Sequence, residues 1–113
     1  MALALNIFKT ITNVISTNPV GIYTAPIGYN GVVLLAQVAN IGPTTETVTF
    51  SHQRTVSGIA VTTEIVKDFP IPANDSASFL DGKLVIETND SIVISGSSAT
   101  NLKFTGSILE TLK

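Results

Sequence analysis

DFPIPANDSASFLDGKLVIETNDSIVISGSSATNLKFTGSILETL, residues 68–112, is the stretch that decides the fold. Short apolar runs are cut at regular intervals by turn residues: Pro70, Pro72, Asn74 and Asp75, then Asp81-Gly82, Asn89-Asp90, and Gly96 to Thr100. Runs of this length between Gly, Pro, Asn and Asp are the pattern of antiparallel strands joined by tight connections. Four strands are expected here: Ser76 to Leu80, Lys83 to Glu87, Ser91 to Ser95 and Leu102 to Leu109. Asp81-Gly82 reads as a hairpin turn, because both residues tolerate positive φ. In the last strand Leu102, Phe104, Gly106 and Ile108 share one face. Leu109 falls out of that phase, so a bulge near Gly106 or Ser107 is expected to restore the register.

Working outward, the preceding half continues the pattern. Residues 59–68 alternate Ile59, Val61, Thr63, Ile65 and Lys67 with Ala60, Thr62, Glu64 and Val66. The Phe69-Pro70-Ile71-Pro72 segment that follows must be extended, since proline biases its predecessor away from helix. Residues 45–54 place Glu46, Val48, Phe50 and His52 on one face and Thr45, Thr47, Thr49 and Ser51 on the other. The run GVVLLAQVAN, Gly31 to Asn40, is apolar on both faces: Val32, Leu34, Ala36 and Val38 against Val33, Leu35, Gln37 and Ala39. A strand of that kind is covered on two sides, and in a small domain the second cover is available from a neighbouring subunit. Val20 to Thr24 is a short strand that stops at Pro26. Residues 3–15 carry both helical and strand spacing; their Ile, Thr, Val and Asn favour a strand.

Eight or nine strands without a helix predict an all-β, single-domain antiparallel β-sandwich, jelly-roll-like, with residues 1–16 as an N-terminal strand or arm and 17–113 as the sandwich. The length, 113 residues, suits one domain. Charged residues make up 12% of the chain, about half the ~25% of ordinary domains. A surface of hydroxyls and amides suits burial against other subunits, and homo-oligomerisation is expected. The residues singled out as subunit contacts are Ile7, Ile11, Tyr23, Tyr29, Val33 and Leu35.

A search for chemistry ends without a site. The chain has no cysteine, so thiolate ligands and cysteine nucleophiles are excluded. His52, the single histidine, has no serine in a nucleophile-elbow pattern beside it and reads as a partly buried or edge polar residue. Asp75, Asp81, Glu87 and Asp90 gather at turns, but Asn74-Asp75 and Asn89-Asp90 stop short of the ligand count of a calcium loop. Asx residues bonding their own backbone account for them better. Gly96-Ser97-Ser98 lacks the lysine and helix of a phosphate loop. A net charge of −2 speaks against a nucleic-acid surface. The N-terminus does not read as a secretion signal, so the Asn74-Asp75-Ser76 and Asn89-Asp90-Ser91 sequons carry no weight. No apolar run reaches a membrane span. No enzyme activity, cofactor, metal, nucleic acid or membrane partner is expected.

The order of the pieces resembles the short virion structural proteins of tailed bacteriophages, notably those of marine bacteria and cyanobacteria. Ile22-Tyr23-Thr24-Ala25-Pro26 with Gly28, the strand Val32 to Ala39, and Val66 to Ala73 carry the resemblance. Leu80-Asp81-Gly82-Lys83-Leu84-Val85-Ile86-Glu87, Asp90 to Ala99 and the closing Ile108-Leu109-Glu110 complete it. The resemblance implies a non-enzymatic β-sandwich present in the virion in many copies, with other virion proteins as partners. A capsid decoration or cement protein bound to the major capsid protein is one placement; a tail, neck or fibre-associated component is the other. A carbohydrate-binding module is a third class; it would need exposed aromatics in a groove, and seven aromatic residues leave few to spare for one.

Overall fold

The computed structural model describes residues 5–113, and these form nine strands: β1 (Asn6–Val14), β2 (Val20–Thr24), β3 (Tyr29–Asn40), β4 (Glu46–Val56), β5 (Ile59–Ile71), β6 (Ser76–Ser78), β7 (Leu84–Ile86), β8 (Ser91–Gly96) and β9 (Leu102–Leu112). One sheet, here sheet A, runs β1-β9-β3-β6, with β7 also paired to β3; sheet B runs β2-β8-β4-β5. All pairings are antiparallel. The expected sandwich is what forms.

Asp81-Gly82 does not close a hairpin. β6 and β7 do not pair with each other. Ser78 and Ser76 oppose Gln37 and Ala39, while Leu84 and Ile86 oppose Val33 and Gly31. The two are successive pieces of a single strand lying along β3, interrupted by residues 79–83. The interruption has a physical cause in Phe79, which turns inward to 8% exposure and stacks on Phe50 at a ring distance of 5.5 Å. Counted as one, β6 and β7 leave eight strands in two sheets, the strand count of a jelly roll.

The core lies between the sheets. Val33, Ala36, Val38, Ile86, Leu102, Phe104 and Ile108 come from sheet A; Tyr23, Val48, Phe50, Ile71, Ile92 and Ile94 from sheet B. Phe50 is its centre, stacked between Phe79 and Phe104, whose ring lies 6.2 Å away. Offset aromatic stacking of this kind adds about 0.5–1.5 kcal/mol per pair beyond burial.

Two further expectations change. β9 carries no bulge; the extra residue is Leu34 on β3, inserted between Val33 opposite Ile108 and Leu35 opposite Ser107. A bulge shifts the alternation by one residue. Val33 therefore faces the core, Leu35 faces outward, and the two do not share a face as their spacing suggests. With β9 regular, Leu109 points outward, so its apolar character belongs to the outer surface of sheet A rather than to a repaired core register. β5 also runs beyond Asp68 to Ile71, because Pro70 sits on a sheet edge where no ladder donor is required.

β1 is an integral strand. It pairs with β9 of its own chain from Asn6–Thr111 to Val14–Lys103, and Ile15 behind it is fully buried. The remainder of the segment expected as an arm, residues 1–4, lies outside the described residues.

Candidate functional site

Two polar clusters interrupt the apolar interior, and both tie distant parts of the chain together. The first joins the sheets. Glu110 continues the inward face of β9 after Ile108 and is 1% exposed. The Tyr23 hydroxyl, carried on β2 of sheet B, donates to it at 2.8 Å, and Lys9 Nζ on β1 approaches to 3.2 Å. The tyrosine reaches across because β3 has Gly31 opposite Glu110: a Cβ there would lie 2.6 Å from the Tyr23 oxygen. Burial, then the hydrogen bond to Glu110 and its charge, push the Tyr23 hydroxyl well above the usual tyrosine range. Tyr23 is thus a neutral donor at physiological pH.

The second cluster sits at one end of sheet B. His52 and Arg54 follow Phe50 on the inner face of β4, and Asp90 precedes Ile92 on β8. Asp90 Oδ2 lies 3.2 Å from both His52 Nε2 and Arg54 Nε, and Arg54 also donates to Glu87. Glu87 first, then Asp90, hold the Arg54 guanidinium more firmly protonated than usual. Asn74 and Asn89 both have positive φ, and Asp75 and Asp90 donate backbone N–H groups to the carbonyls of Pro72 and Glu87. They form turns, as their sequence suggests. Asp90 does more than turn the chain, because it also anchors β4.

Past that anchor the chain projects. β8 pairs with β4 only as far as Gln53, whereas β4 and β5 stay paired to Val56 and Ile59. Ser57 and Gly58 make the two-residue connection, both with positive φ as the primed hairpin turns demand. Residues 54–64 are exposed on both faces, including Val56, Ile59 and Val61. This is a two-stranded arm with apolar side chains at its tip and no core beneath them.

A shallow groove of about 320 Å³ lies on the outer face of sheet B, among Thr49, Ser51, Gln53, Thr62, Glu64 and Ser95. Its single ionisable group is Glu64, and His52 faces the other side of the sheet. Among the described residues, no three His, Cys, Asp or Glu side chains are placed to hold a metal.

The residues expected at subunit contacts scatter. Ile7 and Ile11 lie half-buried on the inner face of β1. Tyr29 opens β3 half-buried and, through its carbonyl, accepts a bond from the Thr88 hydroxyl. Val33 at 0% and Tyr23 at 8% exposure are core residues and offer no surface to a neighbour. Tyr23 is turned inward and spent on Glu110. Leu35 alone of the six faces outward. The buried role of Glu110 was signalled in sequence by its phase with Phe104 and Ile108; the Asp90 anchor had no such signal.

No family model matches the chain, and no characterised protein matches it in sequence. The fold does recur in solved structures. A protein of the T13 viral particle of IBDV matches 96% of this chain with TM-score 0.59 and 12% identity. This chain spans about a third (31%) of that protein's length. A protein of Bacillus endospore appendages, described as disulfide-linked pili, matches over 100% of this chain and 97% of its own, with TM-score 0.50 and 20% identity. This chain has no cysteine with which to make such links. Both neighbours are components of assembled particles or fibres, and at these identities the likeness is one of fold.

Proposed function

We propose that this chain is a non-enzymatic structural protein of a bacteriophage virion, a decoration or cement protein that binds the shell in many copies. The observation that carries the reading is the β4–β5 arm. Ion pairs from Arg54 fix its base, and its tip presents Val56, Ile59 and Val61 where none of the described residues covers them. A rigid scaffold that holds out an apolar grip suits attachment to a repeating protein surface. The fold shared with a viral-particle protein supports the same reading.

Quantitative mass spectrometry of purified particles tests it. Many copies spread over the shell are expected, and the double variant V56D/I59D should fold normally yet be lost from particles. A few copies confined to the tail would overturn decoration in favour of a tail, neck or fibre component. The likeness to a pilus subunit over the full chain favours that second reading.

A further inference from the structure

The strand register places an apolar row across the outside of sheet A. Phe8 on β1 opposes Leu109 on β9, Leu109 opposes Val32 on β3, and Val32 opposes Val85 on β7. Directly opposed residues on one face of an antiparallel sheet touch side by side, so these four make a stripe running across the strands. It is open to solvent: Phe8 is 76% and Val85 51% exposed. An exposed phenylalanine at the head of a four-strand apolar row is not what an outward, solvated sheet face carries.

We propose that this face docks a second copy of the same chain, stripe upon stripe. Three features favour a copy over a foreign partner. The first is charge. Beyond the stripe the face carries threonine, serine, glutamine and asparagine with further apolar positions at Val14, Leu35 and Ala39, and Lys103 is its single ionisable group among the described strand residues. A face with one charge, at its margin, needs almost no complementary pattern and is compatible with itself. The second is symmetry. A two-fold axis in the plane of the face, along the stripe or along the strands, lays one stripe over the other, as an isologous contact requires. The third is area. Four strands at ~4.8 Å spacing and nine residues at ~3.3 Å rise span roughly 400–600 Å² of plane before side-chain relief is added. That approaches the ~800 Å² per partner of a stable interface, in the sheet-on-sheet geometry that sandwiches already use.

The inference goes beyond a role in a particle and does not depend on it. Sedimentation of the purified chain, as a function of concentration, provides the test. Wild type is expected to move from one to two chain masses, and Leu109→Lys to dissociate at least ~10-fold more readily, as a charge placed in an apolar contact does. The lysine stem can lie along the outer face with its ammonium in water, so the melting curve should be little changed. A second measurement keeps the test sound if that variant misfolds. Because the chain lacks cysteine, Val85→Cys supplies its one thiol, whose alkylation should slow as concentration rises. A monomer at all concentrations, or an oligomer in which the introduced thiol stays fully reactive, would overturn the proposal. Those outcomes assign the face to a different partner or to none. Presence in particles with a freely reactive stripe would sink self-docking alone; a stripe-dependent dimer missing from particles would sink only the particle role.

Discussion

The β3–β9 pair and the outer half of the β4–β5 hairpin are made of the same kinds of residue and meet opposite fates. Both carry Val, Ile and Thr, and both are antiparallel ladders. β9 is flanked by β1 and β3, and its inward face, Leu102, Phe104, Ile108 and Glu110, is sealed by sheet B. From Arg54 outward β4 has lost β8, and its ladder with β5 lies over nothing. Strand-forming residues specify a ladder; whether the ladder has a hydrophobic face to bury depends on which strands lie beside it and beneath it. The difference separates a region that supplies stability from one that supplies surface.

Substitutions can break this contrast or sharpen it. The largest effect is expected at Phe50, the residue between two stacked rings. Phe50→Ala should destabilise by about 3–5 kcal/mol, read as a fall in the urea midpoint. Gly31→Val should come next, at about 1–3 kcal/mol, because its side chain would collide with the Tyr23 ring in a packed site. Loss of stability without loss of the Tyr23–Glu110 bond in the variant's structure would contradict that account.

Tyr23→Phe removes a donor from a buried carboxylate and should cost about 1–2 kcal/mol at neutral pH. This variant also carries a pH signature. The Tyr23 hydroxyl titrates higher in the folded chain than in the unfolded one, so its contribution is fully present below the unfolded value near 10 and is lost as pH rises toward the folded value. The gap between wild type and Tyr23→Phe should therefore hold steady up to about pH 9 and narrow progressively beyond about pH 10. A constant gap would mean that the tyrosine is not held neutral by burial and Glu110.

At the other extreme, Ile59→Ala on the exposed arm should change stability by no more than ~0.5 kcal/mol, despite being a large-to-small change at a branched residue. Amide exchange should show the same ranking, with residues 55–61 exchanging far faster than those of β9. Slow exchange in the arm of the isolated chain would mean that something already covers it.

Most of the strands are readable from turn residues and alternation, because Gly, Pro, Asn and Asp punctuate the chain where it bends; β1 is read from its β-branched residues alone. What the alternation does not carry is neighbourhood. Asp81-Gly82 has the chemistry of a hairpin turn, yet it links two strands that share β3, because Phe79 gains more by entering the core than β6 gains by continuing. Leu34 becomes a bulge only because Val33 and Leu35 must meet Ile108 and Ser107 at once. Leu109 reads as a register fault as long as the outer face of sheet A is assumed polar. The Asp90 anchor joins residues 38 positions apart in sequence. No local pattern announces such a pairing.

The position of β9 also constrains how the chain can be made. It lies between β1 and β3, the first strand and the longest of sheet A, which do not pair with each other. During synthesis β1 and β3 emerge before β9 and hold open the edges it will fill until β9 has left the ribosome, since neither can be satisfied by anything between them. β3 can take up β6 and β7 before then, but the β1 side of sheet A closes only when β9 arrives, and until that point the chain carries an unpaired edge on β3 and another on β1. A chain truncated before Leu102 would leave both edges open for good, and should accumulate as aggregate rather than as a smaller sandwich.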